Sequence, residues 1–212
     1  FCESPKAGQL RMVSTDGHRL ALAEAQFDAT LSLPGGAIVP RKGFLELKRV
    51  LGDGQDTDVV HLGFSKNSCV VRINRTTLCT RLIEGQFPDY AQVIPQAGNK
   101  NVRLSRLAFA DALRRVSLLS QARAHGVRFT FEPGNLSLLA EDPEFGDAKE
   151  NFPIEYSGEP LTVGFNARYI LDVLSLIGEQ GVRFDLADEL SPGVLRPLED
   201  SSFLAVVMPM RI

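Results

Sequence analysis

The 212-residue chain lacks most of the signals by which enzymes, secreted proteins and membrane proteins declare themselves. It has only three cysteines, Cys2, Cys69 and Cys79, and none lies in a CxxC spacing. Disulfide frameworks use dense, even cysteine sets in short chains, so the expectation is reduced thiols in a cytoplasmic protein. No apolar run reaches the roughly 18 residues that a bilayer span requires, and no signal-peptide pattern is read. Nothing matches GxxxxGK followed by Ser or Thr, and no strand–GxGxxG–helix unit occurs, so the usual phosphate cradles are missing. His61 and His125 have no ligand-spaced partners. The expectation is no metal and no cofactor. Positive charge is not in excess either: 23 Lys and Arg against 26 Asp and Glu give a net charge of −3. That total does not exclude nucleic acid, because phosphate contacts depend on local positive surface.

What is present fits a globular protein. Apolar residues make up 44% and charged residues 23% of the chain, enough for a core and near the usual balance. The length allows one large domain or two ordinary ones. Phe1-Cys2-Glu3 runs straight into turn-forming residues, which reads as a start part-way through a domain.

Leu10 to Ala23 predicts a hairpin turning at Asp16-Gly17, since glycine tolerates positive φ. Pro40 to Leu51 predicts a helix, with Phe44, Leu47, Val50 and Leu51 on one face and Arg41, Lys42, Lys48 and Arg49 on another. Val59 to Phe64, Ser68 to Ile73 and Thr77 to Leu82 read as strands. Pro95 to Asn101 is polar and turn-rich, so the domains are expected at 1–95 and 96–212. A helix from about Ser105 to Ser120 opens the second, with Phe109, Leu113 and Val116 as its core stripe. Strands Gly126 to Phe131 and Leu136 to Ala140 follow, then a charged stretch from Glu141 to Glu150. Leu161 to Gly164 is a strand, and Asn166 caps a helix through Ile177 whose stripe is Ile170, Val173, Leu174 and Ile177. Val182 to Leu186, Gly193 to Leu195 and Phe203 to Val207 close the series. The order strand, helix, three strands recurs in Ile38–Leu82 and Val163–Met208, which points to a duplicated antiparallel α+β plan.

Two patterns invite a chemical reading. Asp16 could orient His18, with Ser14 as a nucleophile, which would make a small hydrolase; residues flanking a Gly turn more often shape the turn. The helix from Pro40 shows four cations opposed only by Glu46, a surface suited to tracking phosphates without reading bases. The ending Val206 to Ile212 is apolar, and its flexible Met side chains suit a groove that accepts several ligands.

At these places the sequence resembles a known family. Thr15-Asp16-Gly17-His18-Arg19-Leu20, Val39-Pro40-Arg41-Lys42-Gly43, Phe87-Pro88-Asp89-Tyr90, the run Gly164 to Leu174 and the ending Val206 to Arg211 are similar, in order, to the beta sliding clamp of bacterial DNA polymerase III. The resemblance implies a DNA-clamp fold of repeated antiparallel sheets with two helices per domain. It implies a three-domain subunit, of which this chain holds a partial second and a complete third domain. It also implies a non-catalytic processivity factor: a head-to-tail homodimeric ring around duplex DNA, working near the nucleoid.

Its partners are DNA polymerases, the clamp loader and repair proteins, which bind through short linear motifs. Carried over by motif, the groove for those motifs begins with Thr15, Gly17, His18, Arg19 and Leu20. Pro88, Val93, Asn166 and Tyr169 continue it. Val206, Met208, Pro209, Met210 and Arg211 complete it. Two positions depart from the family: Gln92 stands where a basic residue often occurs, and Ala124 where a larger aromatic can sit. Among DNA-facing candidates the motif supports Arg41, Lys42 and Arg49; Lys48, Arg106, Arg114 and Arg123 follow from helix location. Leu118 and Leu119 match an apolar contact at the ring joint, whose partner domain this chain lacks, so this piece alone is not expected to close a ring. A structural α+β module without ligands is the remaining reading.

Overall fold

The computed structural model describes residues 1–28, 31, 33, 35–52, 59–95, 100–120 and 125–212. It divides into two compact units, one comprising Phe1–Ser14 and Ala23–Pro88 and the other Thr15–Leu22 and Asp89–Ile212. Among the described residues no helix is long and apolar enough to cross a membrane.

The first stretch of chain forms β1 (Cys2–Glu3), β2 (Gln9–Thr15), β3 (Arg19–Gln26), α1 (Arg41–Gly52), β4 (Val60–Phe64), β5 (Ser68–Ile73) and β6 (Thr76–Arg81). The expected hairpin is there, with Gly17 at φ 86 in its turn. β1, two residues pairing with β2, escaped the sequence reading because it is too short to show a period. β4, β5 and β6 form an antiparallel meander. On α1, Phe44, Leu47 and Val50 lean on the apolar cluster of this unit while the four expected cations are exposed. Cys2 and Cys69 are buried free thiols of this cluster. Burial pushes the Cys69 thiol up to about 11, with Cys2 and Cys79 adding to the rise.

The second unit continues with β7 (Lys100–Ser105), α2 (Arg106–Ser117), β8 (Gly126–Glu132), β9 (Asn135–Asp142) and β10 (Gly146–Pro153). It then repeats the plan with β11 (Leu161–Asn166), α3 (Ala167–Leu176), β12 (Gly181–Leu186), β13 (Gly193–Pro197) and β14 (Phe203–Val207). The first strand of each repeat leaves its own meander for the other one. β7 pairs with β12, giving the order β14-β13-β12-β7, and β11 pairs with β8, giving β10-β9-β8-β11. This reciprocal exchange puts both repeats around one core. Phe109, Phe129, Phe131, Phe165 and Phe184 are fully buried there. Phe129 meets Phe165 edge-on at 5.5 Å, and Phe131 meets Phe184 edge-on at 5.9 Å, the geometry that the ring quadrupoles favour.

Three expectations need correction. The second unit opens with strand β7 before its helix: KNVRLS carries only two apolar residues, Val102 and Leu104, yet both are buried in strict alternation. The charged stretch from Glu141 to Glu150 is the end of β9, a turn and the start of β10, an edge strand paired with β9, where polar residues face solvent. The helix expected to Ser120 ends at Ser117, and Leu118 to Ser120 continue as a turn through hydrogen bonds back to Arg115, Val116 and Ser117.

Candidate functional site

The hairpin tip belongs to the second unit, and its chemistry is that of a built turn. One Asp16 carboxylate oxygen accepts the amides of His18 (3.1 Å) and Arg19 (3.0 Å). The other accepts Nε of Arg19 at 3.1 Å. Thr15 adds a hydroxyl bond to the Arg19 carbonyl and accepts the Gly17 amide. Burial alone would raise the Asp16 carboxyl pKa, but the His18 and Arg19 amides and the Arg19 guanidinium outweigh it and hold it below the ordinary value. Both oxygens therefore serve the turn and Arg19. The Asp16–His18 spacing, read as a possible hydrolase pair, is explained by turn geometry.

Arg19 reaches beyond its own turn. Its Nη1 donates to Asp172 at 2.6 Å across 153 residues, and its guanidinium carbon lies 4.4 Å from the centre of the Tyr169 ring. Tyr169 and Asp172 are three residues apart on α3 and so share a face. Burial works against the Arg19 charge, but Asp172 and Asp16 more than offset it, raising its pKa. Asn166 places this face by capping α3, its side-chain oxygen accepting the amides of Arg168 (2.9 Å) and Tyr169 (3.3 Å).

The last segment lies alongside. After β14 the amide of Met208 donates to the His18 carbonyl and the amide of Met210 to the Gly164 carbonyl, both at 2.9 Å. Val206 and Leu20 are buried beneath, while Met208 and Arg211 are exposed and Pro209 and Met210 half-exposed. The last segment is tied to the hairpin tip at His18 and to β11 at Gly164, with the Met208 side chain left exposed. The structure thus gathers the second-unit residues nominated at the hairpin tip, on α3 and in the last segment. Val93, also in this unit, is exposed just after a short 3-10 turn, Tyr90–Gln92, that Asp89 caps. Gln92 donates to the same Asp89 carboxylate at 2.9 Å. Pro88 is exposed at the end of the first unit.

The basic candidates separate by what they already hold. Arg41, Lys42, Lys48 and Arg49 are exposed on α1, and among the described residues Arg49 alone of them has an ion-pair partner, Glu46 at 3.0 Å. On α2, Arg114 pairs with Asp111 at 2.7 Å. Arg106 is half-buried and its Nε donates to the Glu179 carbonyl at 2.8 Å, tying α2 to the chain that follows α3. Arg123, and the departure at Ala124, lie outside the described residues. Leu118 is 68% exposed, whereas Leu119 packs partly against the core.

Sequence reasoning did not nominate Asp172 as part of this assembly. Its pairing with Arg19 carries no local signal; only the helical spacing from Tyr169 hints at a shared face. Among the described residues no group of three or more His, Cys, Asp or Glu side chains is disposed to hold a metal ion.

Comparison with known proteins adds independent findings. Residues 3–89 match the family model for the DNA polymerase III beta subunit central domain, and residues 91–211 match the model for its C-terminal domain. The chain is 38% identical over 206 residues to the beta sliding clamp of Pseudomonas aeruginosa, covering 97% of this chain and 55% of that protein. It is 35% identical to the beta sliding clamp of Vibrio cholerae over 203 residues, again spanning 55% of the relative. The crystal structure of the DNA polymerase III subunit beta from Pseudomonas aeruginosa superposes with a TM-score of 0.91 at 37% identity, over 97% of this chain and 56% of that one. A sliding clamp from Bartonella birtlesii bound to griselimycin gives 0.90 at 34% identity, over 96% and 55%. The chain therefore spans about 55% of the length of the curated relatives it matches.

Proposed function

Because the chain belongs to the DNA polymerase III beta subunit family, the sliding clamps, we propose that it serves in a ring that encircles duplex DNA and tethers the replicative polymerase and other DNA-processing proteins. It confers processivity and catalyses nothing itself. Residues 1–95 act as part of a central clamp domain and residues 96–212 as a complete third domain. The setting is the cytoplasm, at the nucleoid.

The observation that carries this reading is the accessible surface of Met208, Pro209 and Met210, held by backbone hydrogen bonds beside Tyr169 and the fixed Arg19. Short peptides with Leu and Phe anchors bind such surfaces by filling apolar pockets, and Met adapts to different anchors. Thr15, Gly17, His18, Leu20, Val93, Asn166, Val206 and Arg211, all of the second unit, complete the site around it. The clamp loader and repair proteins use the same groove. The Bartonella clamp crystallised with griselimycin gives the family a precedent for a bound ligand.

Support for DNA comes from α1. Its exposed Arg41, Lys42, Lys48 and Arg49 offer phosphates a positive surface with no groove-reading side chains, as sliding requires. Arg114, paired with Asp111, is a further candidate on α2, and Arg123 is one from the sequence alone; Arg106, engaged with a backbone carbonyl, contributes least. In the intact protein the ring is a homodimer. The unpaired edge of β10 and the exposed Leu118 beside Leu119 give the third domain a face for the neighbouring subunit.

The test is fluorescence polarisation of a labelled Gln-Leu-x-Leu-Phe peptide titrated with this chain and with a Met208→Ala, Met210→Ala double variant. Saturable binding that weakens in the variant is expected. No binding by the folded chain, when a full-length clamp binds the same peptide, would remove the groove reading for this chain.

A further inference from the structure

The segment that carries Met208 and Met210 is held at one point by something that is not a side chain. After leaving β14 it crosses to β11, an edge strand of the other sheet, and lands on Gly164. The Gly164 carbonyl accepts the Met210 amide at 2.9 Å. A Cβ built on Gly164 would stand 2.4 Å from the Met210 carbonyl oxygen and 2.5 Å from Cγ1 of Ile212. No real Cβ tolerates such an approach, and a backbone carbonyl cannot swing aside as a side-chain tip can. Any residue but glycine here must push the segment away by about 1 Å, and recognition sites lose function at looseness of that order. The backbone of Gly164 is in the ordinary negative-φ range. Glycine is therefore required by the close approach and not by its own conformation.

We propose that Gly164 is a positioning residue for the partner-peptide groove: it fixes the course of residues 208–212 and so the places of Met208 and Met210. This rests on the groove reading above. The other anchor, the Met208 amide on the His18 carbonyl, lies two residues away on the hairpin side. The segment is thus suspended between two carbonyls on different elements, and loss of either frees the methionines from their fixed positions. Tight peptide binding needs both.

The experiment compares Gly164→Ala with Gly178→Ala, a position where an added Cβ meets nothing within 4 Å. Peptide affinity is read by polarisation, and the segment by the methyl resonances of 13C-methyl methionine. The chain has only three methionines, and Met12, in the first unit, is the internal reference. Gly164→Ala is expected to weaken binding more than about tenfold and to shift Met208 and Met210 but not Met12. Gly178→Ala should change neither. A folded Gly164→Ala that binds as tightly as the parent overturns the proposal.

Should Gly164→Ala fail to fold, Ile212→Ala decides. Ile212 is 41% exposed, and its side chain covers Gly164. A two- to threefold weakening, about that expected for trimming one partly exposed apolar contact, with shifted Met208 and Met210 methyls, is the expected result. Unchanged affinity and unchanged methyls overturn the proposal. If the parent chain binds no peptide while a full-length clamp does, the groove reading fails for this chain, and the methyl shifts still report whether Gly164 fixes the segment.

Discussion

The second unit holds two copies of a strand–helix–three-strand plan, and the first unit shows one helix and one three-stranded meander together with β1, β2 and the end of β3. In the second, each repeat lends its first strand to the other, so each meander gains one more strand, and α2 buries Phe109, Ala110, Ala112, Leu113 and Val116. In the first, β4-β5-β6 stays three-stranded and α1 buries only Gly43. Phe44, Leu47, Leu62, Phe64, Val71 and Leu78 there help to line an apolar cavity of about 210 Å³. One repeat has an apolar face on its helix and another on its sheet, and it cannot close both alone. The second copy supplies what the first lacks.

The largest test of that comparison removes a phenylalanine from each unit. Phe129 is fully buried and touches the rings of Phe109, Phe131 and Phe165. Phe129→Ala should cost about 3–5 kcal/mol in the second unit. Phe44→Ala should cost only about 1–2 kcal/mol in the first, because the ring is half-buried beside existing space. Hydrogen exchange resolved by peptide fragment reads the two units separately in the 212-residue chain. Equal costs would show that the first unit is packed as tightly as the second.

A smaller effect changes sign between the units. Val71→Ile adds a methylene next to the cavity and should stabilise the first unit by up to about 0.8 kcal/mol. Val127→Ile adds the same group to a fully buried site and should destabilise the second by about 1–3 kcal/mol. Destabilisation by both substitutions would mean that the cavity does not admit the extra group.

The parts of this architecture that could be read from the sequence are those with a local cause. Gly17 marked the hairpin, Asn166 its helix start, and the spacing of Ile170, Val173 and Leu174 the buried face of α3. The resemblance in five ordered motifs led to the family. Strands β7 and β10 were not legible, since KNVRLS and GDAKENFP are stabilised by pairing with distant strands and carry few apolar residues of their own. The exchange of first strands between repeats is likewise a property of pairing across the chain. At the site, the residue types were legible but their bonds were not. Arg19 could be nominated, yet its hold on Asp172 and the ring of Tyr169 arises only when α3 is brought to the hairpin tip.

The smallest predicted effect asks whether that tip belongs energetically to the second unit. Asp16→Asn keeps the shape of the side chain but removes the charge that pairs with Arg19. The Asp16 side chain is 46% exposed, so the loss should stay below about 1 kcal/mol, as for other exposed pairs. Its pH dependence identifies it. The folded-state pKa of Asp16 is depressed from 3.8, so the charged form contributes stability that is fully present above that value and fades as the pH falls through the folded pKa. The difference between parent and variant should therefore hold steady from pH 8 to about pH 5 and shrink below about pH 4. Read by hydrogen exchange, it should appear in peptides from 15–22 and from α3, where Arg19 also holds Asp172. A loss confined to β4, β5 and β6 would instead assign the hairpin tip to the first unit, and the two-anchor suspension of residues 208–212 would then need another support.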